Sequence, residues 1–332
     1  MKLKERISAL VQLGNYIASN DEQWVEVKTR AFGANNWFIP EFIDLAARNI
    51  SDVFLQEKTL EDLAARYSIP EENPLPKKVG IVMAGNIPMV GFHDLMCAFL
   101  TGHYAYIKPS GKDEVLMKHL AEKLNEISAP EEPVVVAEML KGCDAYIATG
   151  SNNSSRYFDY YFGKYPNIIR RNRTSVALLT GNETPDELSK LADDVHQYFG
   201  LGCRNVTKLL VPSGYDFIPL LEAFKKYSFF ENHHKYKNNY DHNLAMHILN
   251  NRFYMTNGSS VLLVEDHALF SPIAQLHYAF YSSAEEAEAA LQEEGSIQCI
   301  VGHGHTPFGA AQNPAIDVFA DGIDTLKFLV DL

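Results

Sequence analysis

The rhythm of apolar and polar positions changes once along the chain, near Pro76. Before it, Leu3, Ile7, Leu10 and Leu13 recur at helical spacing, as do Phe42, Leu45 and Ala46, which predicts a layer of helices over 1–70. Asn73-Pro-Leu-Pro-Lys-Lys78 is a turn-rich joint with two prolines. Beyond it, short unbroken apolar runs alternate with amphipathic stretches. Val79-Gly-Ile-Val-Met-Ala84, Tyr104-Ala-Tyr-Ile107, Val134-Val-Val-Ala137 and Ala145-Tyr-Ile-Ala148 read as strands. Pro88 to Leu100 reads as an apolar helix ended by Gly102. Ser110-Gly-Lys-Asp113 has the form of a capping box, opening a helix that carries Leu116, Leu120, Leu124 and Ile127. This alternation predicts a parallel sheet covered on both faces, with ligands at the carboxyl ends of its strands.

A second alternating region follows. Thr184-Pro-Asp-Glu187 is a capping box with proline at the first helical position, followed by Leu188, Leu191, Val195 and Phe199 on one stripe. Gly200 and Gly202 end that helix, and Thr207-Lys-Leu-Leu-Val-Pro212 returns to strand. Further helices are expected from about 216 and about 240, and strands at Val261–Val264, near Tyr278 and at Ile297–Val301. The capping box Ser283-Ala-Glu-Glu286 opens a short helix. The expected architecture is α/β with two domains. Residues 1–199 hold the N-terminal helices and a nucleotide-binding domain, 200–306 a catalytic domain, and 307–332 a tail. Its apolar Leu326–Val330 reads as an edge strand able to pair with a second copy, which makes a homodimer the expected assembly.

Composition narrows the classes. Of 332 residues, 46% are hydrophobic and 21% charged, enough apolar material for a large core and too much for a disordered chain. A net charge of −13 argues against nucleic acid or an anionic membrane as partner. No stretch approaches 18 uncharged apolar residues, so no membrane span is expected. The first charges are not followed by an apolar run, so no signal peptide is expected. The four cysteines, at 97, 143, 203 and 299, form no C-x-x-C pair, which points away from a zinc knuckle and toward reduced thiols in a cytoplasmic protein.

Four places could carry chemistry. Cys203 follows a capped helix and two glycines, where a thiol can face a cleft and its own amide can face an oxyanion; the plainer reading is a small residue packed at a turn. Asn86, in Gly85-Asn-Ile-Pro88, is either a helix N-cap or an amide donor to an oxyanion. Lys108-Pro-Ser110 and Thr149-Gly-Ser151 each end a strand before a helix, where Lys108, Ser110, Thr149, Gly150 and Ser151 suit a ribose or a pyrophosphate. Such turns are common in α/β proteins, and neither G-x-G-x-x-G nor a Walker lysine pattern is present.

Taken in order, these segments resemble the aldehyde dehydrogenase superfamily from about Pro76 to Pro307. Ala84-Gly-Asn-Ile-Pro88, Pro307-Phe-Gly-Ala-Ala-Gln312 and Ala320-Asp-Gly-Ile-Asp324 look most like its acyl-CoA reductases, the fatty acyl-CoA reductases of bacterial luciferase systems. The resemblance implies a Cys203 thioester, an oxyanion hole from Asn86 and the Cys203 amide, and a dinucleotide on Lys108, Ser110, Gly150 and Ser151. It also aligns Leu178 with the glutamate that activates water in the dehydrogenases, so a thiol such as coenzyme A becomes the expected acyl partner. Gly111 replaces the glutamate that often holds the adenosine ribose diol, and Lys112 beside it can attract a 2′-phosphate, which favours NADPH over NADH. Ala268 stands where a glutamate usually holds the nicotinamide ribose.

The function expected is therefore NADPH-dependent reduction of an acyl-CoA to an aldehyde. The competing readings are an acyl-phosphate reductase of the glutamyl phosphate type, a non-catalytic member of the superfamily and a nucleotide-binding protein of unrelated fold. Ile169-Arg-Arg-Asn-Arg173 is the strongest basic run and reads either as a phosphate attractor or as a solvated loop. His233, His234, His242 and His247 lack metal-ligand spacing, so no metal is expected; a loop over the cleft is the reading for that segment.

Overall fold

The computed structural model describes residues 1–131 and 133–332. They divide into two units, Met1–Asn172 with Ala315–Leu332, and Arg173–Pro314. The division falls at Asn172/Arg173 rather than near residue 200, and the last residues return to the first unit.

The first unit opens with four helices, α1 (Leu3–Ala18), α2 (Glu22–Ala34), α3 (Pro40–Asn49) and α4 (Glu57–Arg66). Five strands and their helices follow: β1 (Lys78–Val82), α5 (Phe92–Leu100), β2 (Tyr104–Lys108), α6 (Glu114–Ile127), β3 (Val134–Val136), β4 (Ala145–Thr149), α7 (Asn152–Phe162) and β5 (Asn167–Arg170). The strands form one parallel sheet in the order β3-β2-β1-β4-β5. Strands covered on both faces need apolar residues throughout, and Val79, Ile81, Ala105, Ile107 and the run Ala145–Ala148 are accordingly buried. Helix α5 is apolar over Leu95–Leu100, all of which is buried, and carries one buried carboxylate, Asp94. It begins at Phe92, not Pro88, so Asn86 is no N-cap; Gly91 holds that position.

The second unit contains β6 (Thr174–Leu178), α8 (Pro185–His196), β7 (Val206–Pro212), α9 (Ile218–Phe224), α10 (His234–Leu249), β8 (Met255–Thr256), β9 (Leu262–Glu265), β10 (Gln275–Tyr281), α11 (Ala284–Glu293) and β11 (Ile297–Val301). Its sheet runs β11-β6-β7-β10-β9-β8, parallel except for β8 against β9. The Thr184 capping box forms in full: the Thr184 hydroxyl accepts from the Glu187 amide, and the Glu187 carboxylate accepts from the Thr184 amide. Ser283 caps α11, its hydroxyl accepting from the Glu286 amide.

The expected C-terminal strand is a helix, α12 (Thr325–Val330). Asp324 caps it by accepting from the Lys327 amide, and Leu326 and Leu329 are buried against α5. The Leu329 carbonyl bonds the His103 ring at 2.8 Å, and Tyr67 donates to Asp324 at 2.8 Å. Leu326–Val330 therefore offers no free strand edge, which removes the reason given for a homodimer.

Candidate functional site

At the carboxyl edge of the first sheet, parallel register brings three strand ends level. Val82 of β1 pairs with Lys108 of β2, and β4 runs on the other side of β1 with Thr149 at its end. The chain goes from β1 to β2 and β3 on one flank, then crosses to β4 and β5 on the other. The loops after β1 and β4 thus open at a switch point, the place in such sheets where ligands bind. Asn86 is half-buried in the first loop and Gly150 lies in the second. Lys108, Gly111 and Lys112 are exposed.

Two loops there lie in contact. A Cβ on Gly85 would stand 2.6 Å from Ser110 Cβ and 2.8 Å from Ser110 Oγ, so only glycine fits. The Ser110 hydroxyl accepts from the Lys112 amide at 3.3 Å. It caps no helix: α6 starts at Glu114 after Asp113, and the expected capping box does not form. Ser151 is an N-cap in fact, accepting from the Ser154 amide and opening α7. Gly150 has a local reason to be glycine, since a Cβ would stand 2.8 Å from the Phe158 ring. Sequence reasoning placed these residues at one edge correctly and missed Asp113, which is buried beneath them and accepts from the Met89 amide at 2.8 Å.

In the second unit, Cys203 is half-buried on the turn before β7. It differs from Cys97 and Cys143, which are buried and whose thiols burial pushes up. Tyr198, Phe199 and Gly200 are consecutive left-handed residues with φ of 55°, 58° and 72°. That conformation costs a non-glycine residue about 1–2 kcal/mol. Burial of both aromatic rings offsets it, with Phe199 packed on Phe230 and His233. Asn205 then fixes the turn. Its side chain accepts from the Gly202 amide at 2.7 Å and donates to the carbonyls of Asp194, Val195 and Gln197 at the end of α8. From the other side the Ser175 hydroxyl donates to the Cys203 carbonyl at 3.1 Å and lies 3.1 Å from Cys299 Sγ.

Leu178, aligned by the resemblance with the water-activating glutamate, is the last residue of β6. Ser175, at the start of β6, is the residue beside the Cys203 turn, whereas Leu178 pairs with Leu210. The two positions are three residues apart, roughly 10 Å along a strand. The side chains that bond the turn include the Asn205 amide and the Ser175 hydroxyl. The nearest buried carboxyl on α8, Asp194, has both oxygens engaged by the Gly309 and Ala311 amides, and burial pushes it up to about 6.

The basic run divides: its first half is a buried strand end, and its second half is the exposed loop with a surface ion pair that was one of the two readings. Asn167–Arg170 is strand β5, and Arg170 is buried with its guanidinium on Asp94 at 2.7 Å and on Thr325 at 2.6 Å. Arg171 is exposed and pairs with Asp159; Arg173 donates to the Ile297 carbonyl. The histidines lie on α10, not on a loop: His233 caps that helix through Tyr236, and His247 bonds Gln275. Among the described residues no group of three or more His, Cys, Asp or Glu is placed to hold a metal, and no helix is long and apolar enough to cross a membrane.

The two sheets, with their orders and connections, define the class: the fold is that of the aldehyde dehydrogenases. The chain is similar to aldehyde dehydrogenase 21 of Physcomitrella patens, solved with succinate, at a TM-score of 0.67 and 13% identity over 100% of this chain and 84% of that one. It is also similar to an NAD-dependent aldehyde dehydrogenase of Sinorhizobium meliloti (0.66, 14%, 91% and 70%) and to a Mycobacterium tuberculosis aldehyde dehydrogenase complexed with NAD+ (0.64, 14%, 89% and 72%). No family model and no curated protein matches the chain.

Proposed function

We propose that the protein reduces an acyl-CoA thioester to an aldehyde through an acyl group held on Cys203, with NADPH as the reductant. The observation that carries this reading is the Cys203 turn: a half-buried thiol on a backbone fixed by Asn205 and Ser175. A thiolate needs no activation once formed, and a thioester bond it makes persists where no base prepares water.

A dinucleotide fits the first unit on the structure's own terms. The switch-point edge presents exposed Lys108 and Lys112 to phosphate, a glycine contact at Gly85 that keeps the loops low, and the N-terminus of α7 after Gly150 and Ser151. Lys108 and Ser110 are assigned to the adenosine ribose and Thr149, Gly150 and Ser151 to the pyrophosphate. When bound, the nicotinamide supplies hydride. The protein's own part is to hold the acyl group on sulfur, to stabilise the oxyanion with the Asn86 amide and the Cys203 N–H, and to release coenzyme A as thiolate. Removing one such oxyanion donor typically costs about 3–4 kcal/mol of transition-state stabilisation.

Intact mass after mixing with an acyl-CoA and no reductant tests the reading. One acyl adduct is expected, mapped to Cys203, absent in Cys203→Ala and discharged as aldehyde on adding NADPH. An adduct from acyl phosphate but not acyl-CoA would transfer the protein to the acyl-phosphate reductases. No adduct from either donor ends the proposal.

A further inference from the structure

Asp113 is a buried carboxyl that the proposed reaction does not use. It is 2% exposed, and its Oδ2 accepts from the Met89 amide at 2.8 Å. Its Oδ1 is buried with no hydrogen-bond partner. Desolvation pushes the carboxyl well above its usual range, opposed only by the Met89 hydrogen bond, so the neutral acid is favoured there.

What Asp113 holds is more informative than its charge. Met89 is buried with a left-handed φ of 56°, and its carbonyl accepts the amide of Phe92, the first residue of α5. A left-handed methionine persists only where its surroundings over-determine it. The Asp113 carboxyl supplies the acceptor. Four residues earlier, Gly85 lies against the Ser110 side chain and within 3.2 Å, at an added Cβ, of Asp113 Cβ. Asn86, Ile87 and Pro88 are thus bracketed by two contacts, both made by the Ser110–Asp113 turn. The backbone of that turn is itself closed by the Asp113 amide on the Ser110 carbonyl at 2.9 Å.

We infer that Asp113 is a positioning residue: it pins the Asn86 turn and couples it to the Lys108–Ser110 loop, so that the loop assigned to the nucleotide and the loop assigned to the oxyanion move as one piece. The coupling rests on the proposed role of Asn86, but the pin itself is a property of the fold. Asparagine keeps the carbonyl acceptor for Met89 in the same shape. Leucine fills the volume and leaves a buried amide without an acceptor, a loss worth about 1–3 kcal/mol.

Asp113→Asn and Asp113→Leu separate these statements in two measurements on the full chain. Hydrogen exchange read by mass spectrometry on the peptide covering 84–92 should accelerate about tenfold or more in D113L and stay within about threefold of wild type in D113N. Acyl-adduct formation on Cys203 from acyl-CoA should slow about tenfold in D113L and recover in D113N, while alkylation of Cys203 by iodoacetamide keeps its wild-type rate. The inference is overturned if D113L exchanges like wild type over 84–92, or if D113N is as impaired as D113L. It is also overturned if exchange in D113L rises equally over the whole first unit, which would make Asp113 ordinary packing. If the wild type forms no adduct, the proposed function fails, and the exchange measurement still decides the pin.

Discussion

At the edge of the first sheet, Lys108, Gly111 and Lys112 are exposed, and the loops are held from beneath by a glycine contact and one buried carboxyl. In the second unit the turn carrying Cys203 is gripped from two sides, and three left-handed residues precede it. The first arrangement leaves polar surface open to an extended, charged ligand whose own contacts can order it. The second spends backbone strain and four side-chain hydrogen bonds of one asparagine on fixing a single sulfur. Binding tolerates a compliant edge, whereas covalent chemistry loses rate steeply when the reacting atom is misplaced by an ångström.

That contrast makes Asn205→Ala the most damaging substitution expected outside Cys203. It removes the acceptor of the Gly202 amide and the donors to three carbonyls at the end of α8, from a side chain that is itself fully buried. A loss of about 3–5 kcal/mol in the stability of the second unit is expected, since each orphaned group costs about 1–3 kcal/mol and the losses are not additive. Urea unfolding measures it, and alkylation of Cys203 by iodoacetamide below the transition reads the loosened turn directly. A variant as stable and as slowly alkylated as wild type would break the comparison, because the turn would then hold itself.

The same helix end makes a second prediction. Asp194 and His196 are both buried on α8, and burial pushes Asp194 up from 3.8 to about 6 and His196 down from 6.5 to about 4. The signs oppose. A carboxyl with a raised folded pKa stabilises the fold at low pH and loses that contribution as pH rises toward 6. A histidine with a depressed folded pKa stabilises at higher pH and loses its contribution as pH falls toward 4. Each shift of about two units corresponds to about 3 kcal/mol, so over pH 4.5–6 the two nearly cancel. Wild-type stability should be almost flat in that window. Asp194→Asn should leave stability falling with acid, and His196→Gln should leave it falling with base, both read from melting temperature against pH. Equal slopes in all three proteins would refute the assignment.

How much of this was legible in the sequence differs between the two regions for a physical reason. The strand–turn–helix pattern around Asn86, Lys108 and Thr149 is local, and local periodicity reported its strands, while it began α5 four residues early and gave α6 a capping box that does not form. The clamp on Cys203 joins Ser175, Asn205 and the end of α8 through contacts with no periodic signature. Strands β5 and β6 were hidden because Arg-Arg-Asn-Arg173 lies between their apolar residues and draws the eye to charge. Missing them displaced the division of the units. Leu326–Val330 was short and apolar enough to read as a strand. Asp324, three residues before Lys327, was the cap that marks it as a helix.

The smallest effect expected lies at the open edge. A side chain on Gly111 would meet nothing within 4 Å, and its backbone is not left-handed, so Gly111→Glu should leave the melting temperature unchanged. It would add a carboxylate beside exposed Lys112, three residues after Lys108. A carboxylate there repels a 2′-phosphate and can accept from a ribose diol, so NADPH binding should weaken by about tenfold while NADH binding holds or improves. Titration of both nucleotides against the intrinsic fluorescence of each protein measures the ratio. If both nucleotides lose affinity equally, position 111 meets the dinucleotide away from the ribose, and the assignment of Lys108 and Ser110 moves with it. If neither changes, the open edge of the first unit is not where the nucleotide binds, and its contrast with the fixed thiol loses its functional meaning.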